Sequence, residues 1–256
     1  MSIESHRDQI LDQFTRQAVP FSTAPGVKDE QALRLVIEFT GAGPDDTVLD
    51  VACGPGILAC AFAHVVRHVT GIDLTPAMLD RARALAADKG LTNITWQHGD
   101  VLPLPYPDGS FTIVTARFAF HHFLDPGAVL AEMRRVCAPG GRVVVIDSSP
   151  ATDKADAFNR MERFRDPSHV RALPIEEHLA LYQTVGLPEP RVTWYRLESD
   201  MESLIKRSFP NPGDDERIRE MFRASLVDGD SLGIQVRRDG DLLNYGFPVA
   251  VLVAAR

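Results

Sequence analysis

Thr47-Val-Leu-Asp-Val-Ala-Cys-Gly-Pro-Gly-Ile57 decides how this chain is read. It starts as an apolar run of strand length, reaches Asp50, and turns through Cys53-Gly-Pro-Gly56 into a segment with helical spacing. A turn built to cradle phosphate presents bare N–H groups in a positive potential. A carboxylate at its mouth suits a ligand that carries positive charge instead.

Outward from this turn, strand and helix patterns alternate. Strand patterns fall at 47–52, 69–73, 94–98, 111–116 and 142–147, and helical patterns at 57–65, 76–89, 126–136 and 175–185. Pro76 and Pro126 stand in first helical turns behind Thr75 and Asp125 as N-caps, and Gly90 stops the second helix. Such alternation predicts βαβ units and a parallel sheet. Before it lie an amphipathic helix over 4–19, a loop over 20–26 and a helix over 29–39, ended by Gly41-Ala-Gly-Pro-Asp-Asp46. After it the rhythm breaks: strands at 191–197 and 247–254 have no helical crossover directly joining them. Between them lie charged amphipathic pieces at 200–208 and 214–224 and a hairpin signal at Asp239-Gly240. The expected fold is α/β: a mostly parallel seven-stranded sheet with an antiparallel last strand, helices on both faces and a helical lid. Residues 1–45 read as an N-terminal helical arm and 46–256 as the main domain, with lid segments at about 148–175 and 198–230.

Composition bounds the function. The 256 residues suit one large domain, and 45% apolar and 24% charged residues are ordinary for a soluble globular protein. A net charge of −8 argues against broad nucleic-acid binding, whose affinity comes mainly from phosphate neutralisation. Cys53, Cys60 and Cys137 show neither paired nor metal-ligand spacing, so no metal is expected and a reducing compartment is. The opening Met-Ser-Ile-Glu-Ser-His-Arg-Asp lacks a signal-peptide apolar run, and nothing reaches transmembrane length. The expected location is the cytoplasm, without stable membrane insertion; a homodimer is compatible with the chain.

Three acids end successive strands: Asp50, Asp73 and Asp100. In open parallel sheets, ligands bind at these carboxyl ends. Gly54-Pro-Gly-Ile-Leu-Ala59 also fits the dinucleotide fingerprint, with Asp73 near the spacing of a ribose-binding acid, so a nicotinamide-dependent oxidoreductase is a rival. Electrostatics separates the two, because Asp50 repels a pyrophosphate. S-adenosylmethionine has no phosphate and carries a sulfonium and an ammonium. Asp50 can hold that ammonium, Asp73 the ribose hydroxyls and Asp100 the adenine amino group. The N-terminus of the helix from Ile57 suits the methionine carboxylate.

Asp50-Val-Ala-Cys-Gly-Pro-Gly56, Gly71-Ile-Asp-Leu-Thr-Pro-Ala-Met78, Gly99-Asp-Val101, Leu104-Pro-Tyr-Pro-Asp-Gly-Ser-Phe111 and Ala138-Pro-Gly-Gly141 resemble a class I S-adenosylmethionine-dependent methyltransferase. They are similar to the ubiquinone/menaquinone-biosynthesis group. The resemblance covers about residues 10 to 150 and implies a Rossmann-like fold. It implies that the backbone at Gly54 and Gly56 approaches the cofactor, that Leu74 and Met78 line the adenosine, and that Val101 follows the adenine-contacting Asp100, with Gly99 in the same cofactor-binding set. Ala52 departs from the family, which has a glycine there; its methyl is tolerated if the backbone is not left-handed. Met78 reads equally as core, and Phe21 either as an aromatic lid over the cofactor or as core.

On the acceptor side, the fourth strand runs into Arg117-Phe-Ala-Phe-His-His-Phe123. His121 and His122 are candidates for a base or an acceptor-orienting pair, the alternative being a histidine that bridges to the next helix. Arg117 borders the cofactor and reads as an ion partner or as a contact to an anionic acceptor. In Arg163-Phe-Arg-Asp-Pro-Ser-His-Val-Arg171, the side chains of Arg165, His169 and Arg171 can bind a carboxylate, phosphate or enolate, with His169 a further catalytic candidate. The alternative is a salt-bridged loop with Asp166 as a helix cap. Ala116-Arg-Phe-Ala119 replaces the Asn-Pro-Pro-Tyr expected of an enzyme acting on exocyclic amines of nucleic acid. No second acidic pair accompanies Asp147 for a metal-dependent catechol site, and no cysteine is placed for arsenic methylation. The expected partner is a small-molecule acceptor, quinone-like or a secondary metabolite on resemblance alone. A non-catalytic cofactor-binding regulatory protein is the remaining alternative.

Overall fold

The computed structural model describes residues 3–256, so residues 1 and 2 of the expected arm lie outside it. The arm comprises α1 (Ile3–Thr23) and α2 (Glu30–Thr40). The alternating part is β1 (Thr47–Val51), α3 (Ile57–Ala63), β2 (His68–Asp73), α4 (Pro76–Asp88), β3 (Ile94–His98), β4 (Phe111–Arg117), α5 (Pro126–Val136) and β5 (Cys137–Ser148). The remainder is α6 (Ala155–Arg165), α7 (Ile175–Thr184), β6 (Arg191–Asp200), α8 (Met201–Ser208), α9 (Asp214–Val227), β7 (Arg237–Asp239) and β8 (Leu242–Ala255).

Seven strands run in the order β3-β2-β1-β4-β5-β8-β6, and the short β7 pairs with β8 as an eighth. Pairing is parallel from β3 to β5, whereas β8 lies antiparallel to both β5 and β6. The chain leaves β1 toward β2 and β3, then returns to place β4 on the other side. The crevice at this reversal, beyond the ends of β1 and β4, is where such sheets bind ligands.

The sheet is buried on both faces, which is why its central strands read as nearly continuous apolar runs. One core joins Leu49, Val114 and Val145 to α5 and Tyr182 of α7; the other joins Val48, Ile113 and Val144 to Leu58 and Phe62 of α3. A third core gathers Phe158 and Met161 of α6, Leu204 of α8, and Ile218 and Phe222 of α9 around Tyr245 and Phe247. The charged pieces near the end of the chain therefore bury their apolar stripes against one another. No helix among the described residues is long and apolar enough to cross a membrane.

Two local readings are corrected, and one is filled in. The loop expected at 20–26 begins later, because α1 continues through Pro20 to Thr23. The hydroxyls of Ser22 and Thr23 donate to the Val19 carbonyl at 2.8 and 3.1 Å, satisfying the helix end. Strand β5 begins at Cys137 rather than 142, because Gly140 and Gly141 exchange backbone hydrogen bonds with Arg256 at 2.9 Å. Within the expected lid, 155–165 is a helix with its own buried face.

Candidate active site

The decisive turn is held together by its own carboxylates. The Gly54 N–H donates to Asp73 Oδ2 at 2.7 Å, and the Thr75 N–H donates to Asp73 Oδ1 at 2.8 Å. Asp73 thus ties the glycine turn to the start of α4. The Thr75 side chain does not cap that helix, contrary to the N-cap expected. Burial raises the Asp73 pKa, against the pull of these hydrogen bonds. Asp50 is 1% exposed, and its Oδ2 has no hydrogen-bond partner. Burial pushes it up to about 7, with Arg117 opposing and Asp73 adding to the rise.

Ala52 has φ of 53°, so the condition for tolerating its methyl fails: the backbone is left-handed there. Gly56 also has positive φ, and a Cβ on it would lie 2.5 Å from Trp96 and 2.8 Å from Ala82. That glycine lets the turn pack on β3 and α4.

A cavity of about 350 Å³ opens over this crevice. Of the side chains expected at the cofactor, Phe21, Asp50, Ala52, Asp73, Leu74, Met78, Asp100, Val101 and Arg117 reach its wall, as does Gly54. Gly56 and Gly99 do not; Gly99 instead donates its N–H to the Asp73 carbonyl at 3.0 Å. Met78 is both buried and on the wall, and Phe21 also packs on the cluster of Ala24, Val27 and Ile57, so each is core and cavity wall at once. Arg117 donates two N–H groups to the Val27 carbonyl at 3.1 Å and stacks over Phe118. It is the ion neighbour of Asp50. The roof is α1, which contributes His6, Arg7, Ile10 and Phe14; Arg7 lies 3.7 Å from Asp100.

This wall matches the charge pattern of S-adenosylmethionine. The bare Asp50 oxygen calls for a cation, since a buried carboxylate without a partner is costly. A Cβ on Gly54 would meet nothing within 4 Å, which leaves room for a ligand against the backbone. Two buried carboxylates beside the turn oppose a pyrophosphate.

Comparison with known proteins settles the family. A family described as a methyltransferase domain matches residues 49–145. An uncharacterized methyltransferase of Bacillus subtilis, YcgJ, is 31% identical over 91% of this chain and 93% of its own length. The chain belongs to the S-adenosylmethionine-dependent methyltransferases. The crystal structure of YcgJ superposes on this methyltransferase with a TM-score of 0.80 at 27% identity, covering 88% of this chain and 98% of that one. A demethylmenaquinone methyltransferase of Deinococcus radiodurans is 47% identical over 105 residues, 40% of this chain and 43% of that protein.

Beside the cofactor cavity the methyltransferase has a second, smaller one of about 80 Å³. The two share Phe14, Phe21, Val27, Phe118 and His122. The adjacent histidines, on the single 3-10 turn Phe120–His122, have diverged in state. The His121 ring Nδ1 lies 2.6 Å from Asp147 Oδ1, and its backbone N–H donates to Oδ2 at 3.0 Å. Burial disfavours the His121 imidazolium, but Asp147 outweighs it and raises the pKa. Burial likewise works against the Asp147 carboxylate, and His121 holds it below the usual range. Burial and the neighbouring His121 push His122 down to about 3, and its Nδ1 donates to the Ser168 carbonyl at 3.0 Å. His122 is therefore neutral and also structural: its own carbonyl accepts from His6 Nε2 at 2.7 Å.

His169 reaches neither cavity. Its Nε2 lies 2.7 Å from Asn159 Oδ1, and burial strongly depresses its pKa. Arg171 is paired with Glu177 at 2.6 Å and also lies outside both cavities. Arg165 does line the second cavity, but Glu162 grips it through Nε at 2.8 Å and Nη2 at 2.7 Å, with Asp166 at 3.8 Å. The salt-bridged reading of this segment thus describes Arg165 and Arg171, whereas His169 is held by the neutral Asn159 amide. Sequence reasoning missed Asp147 as the partner of His121, Arg207 on the second cavity, and His6, Arg7, Ile10 and Phe14 of α1. The strand-end position of Asp147 and the apolar stripe of α1 were the available signals.

Proposed function

We propose that this methyltransferase transfers the methyl group to a small-molecule acceptor, quinone-like or a secondary metabolite, with His121 as the base. The observation that carries this reading is His121, paired with Asp147, on the wall of a small chamber that shares lining residues with the cofactor cavity. The quinone class is supported by the Deinococcus relative, whose similarity runs over 105 residues of this chain.

When bound, S-adenosylmethionine supplies a methyl group on a positively charged sulfur that leaves readily as a thioether. The chain's own residues do the rest. Asp50 holds the ammonium, Asp73 the ribose hydroxyls and Asp100 the adenine amino group. Phe14, Phe21 and Phe118 exclude water from the junction of the cavities. Asp147 occupies the Nδ1 side of His121, fixing the tautomer and leaving Nε2 to accept a proton from a hydroxyl or carbon acid. The imidazolium that forms is stabilised by the Asp147 carboxylate.

Incubation with methyl-labelled S-adenosylmethionine and a metabolite extract, followed by mass identification of the product, tests the reading. A labelled small molecule is expected. Its rate of formation should rise with pH through a value above the ordinary histidine 6.5, because neutral His121 is the base. His121→Gln should slow the reaction by about 10²- to 10⁴-fold without weakening S-adenosylhomocysteine binding. Label found only in protein or nucleic acid would overturn the acceptor class, and an unchanged rate would remove His121 as the base.

A further inference from the structure

The charges around the second cavity are almost all spent on one another. Glu162 is held by both arms of the Arg165 guanidinium. Asp166 Oδ1 accepts from the Ser168 N–H at 2.9 Å and from its hydroxyl at 2.6 Å. Glu198 is paired with Arg237, and His121 with Asp147. Arg207, on α8, is the exception. It is half-buried, lines the cavity, and forms no ion pair among the described residues. Its one hydrogen bond runs from Nη2 to the Ser199 hydroxyl at 3.0 Å. Asp200 feels its charge but is occupied as the N-cap of α8, accepting from the Ser203 N–H at 2.9 Å. A guanidinium has five N–H groups in a planar fork, so most of this donor capacity is unused. Burial raises the pKa of the Tyr245 phenol on the same wall, so no anion there answers Arg207.

Size and shape narrow the ligand. A chamber of about 80 Å³ has room for a carboxylate or phosphate group but not for a whole metabolite. Phe14, Phe21, Phe118 and His122 line both this chamber and the larger cavity, and side chains of this kind suit a flat ring.

We infer that the second cavity is an oxyanion subsite: Arg207 and Ser199 bind the carboxylate or phosphate of an aromatic acceptor whose ring packs against the aromatic side chains common to both cavities. The inference rests on the small-molecule reading above and adds the charge and shape of the acceptor. Arg207 selects the substrate, while His121, on the same chamber, acts on its proton.

Titration of the S-adenosylhomocysteine-saturated protein with benzoate, phenyl phosphate and the neutral benzamide tests it. At least one of the two anions is expected to bind better than benzamide. Arg207→Gln should weaken that anion by about 10- to 100-fold and erase its advantage, as expected for a lost charge-assisted hydrogen bond. Arg207→Lys should keep part of the advantage, since charge remains but the fork does not. Arg171→Gln should change nothing. S-adenosylhomocysteine affinity, measured on each variant, reports that the fold is intact. Equal binding of the anions and benzamide, or an anion preference that survives in Arg207→Gln, overturns the subsite. Which anion wins distinguishes carboxylate from phosphate acceptors. If the labelling experiment yields no small-molecule product while Arg207-dependent anion binding persists, the acceptor reading falls and the subsite stands. The converse result removes the subsite alone.

Discussion

Asp50 pairs near-complete burial with an oxygen that has no partner, and that combination makes it responsive to both pH and ligand. Its pKa stands near 7, well above the ordinary 3.8. In the ligand-free protein the raised pKa contributes stability that is present below about pH 4 and lost as pH rises through 7. Binding the ligand ammonium requires the carboxylate. The affinity for S-adenosylhomocysteine should therefore climb between pH 5.5 and 7 and flatten above, with a proton released on binding below 7. Calorimetry in buffers of different ionisation enthalpy reads both, and Asp50→Asn should bind weakly with little of this pH dependence. A flat profile in the wild type would remove Asp50 as the ammonium partner. Ala52 is strained for a different reason. A left-handed alanine costs about 1–2 kcal/mol, partly offset in a glycine variant by about 0.5–1 kcal/mol of unfolded-chain entropy. Ala52→Gly should thus stabilise the protein by roughly 0.5–1 kcal/mol, seen as a higher denaturation midpoint at unchanged slope. A lower midpoint would show that the methyl contributes more by packing than it costs in strain. The place of Asp50 at the end of β1 beside the glycine turn was legible, because residue type and strand-end position are local features of the sequence. The φ of Ala52 was not, because the rest of the turn sets it.

Helix α1 shows the same division at the scale of an element. Its apolar periodicity was visible from Ile10 to Val19, and Pro20 suggested an early end. Where the helix docks depends on polar groups scattered far along the chain. Gln13 Nε2 donates to the Ser208 carbonyl at 2.5 Å, Gln17 Nε2 to Asp166 Oδ2 at 3.3 Å, and His6 bonds to the His122 carbonyl. These contacts fasten the roof of the cofactor cavity to α8, to the segment after α6 and to the histidine turn. Gln13→Leu leaves the Ser208 carbonyl with only the longer bond from Gln17 Nε2 at 3.4 Å, a loss of about 0.5–1.5 kcal/mol. Because Gln13 lies on neither cavity wall, the effect should appear as faster hydrogen exchange in α1 while β1 and β4 keep their protection. Unchanged exchange in α1 would mean that its apolar face alone holds the roof in place. The lid helices follow a similar logic. Their charged faces were obvious, but the core of Phe158, Ile218, Phe222 and Tyr245 joins elements up to 87 residues apart and has no local signature.

Across the whole molecule, the sequence by itself determined the α/β alternation, the glycine turn and the three strand-end acids. Each depends on short-range rules: hydrophobic period, capping and turn chemistry, and the sign of a charge beside a strand end. The antiparallel final strand was legible too, from the missing helical crossover before it. Only the tertiary structure decided how the arginines and histidines divide their work. The chain offers Arg165, Arg171 and Arg207 as equal cations, and His121, His122 and His169 as equal bases. Folding pairs Arg165 with Glu162 and Arg171 with Glu177, seats His169 on Asn159 and His122 on Ser168, and gives Asp147 to His121. Partner choice is a long-range property, because burial multiplies the strength of whichever charge lies within a few ångströms. The glycine turn could announce a cationic ligand from residues that are neighbours in sequence. The acceptor side could not, because its partners become neighbours only when β5, α6, α7 and α8 converge.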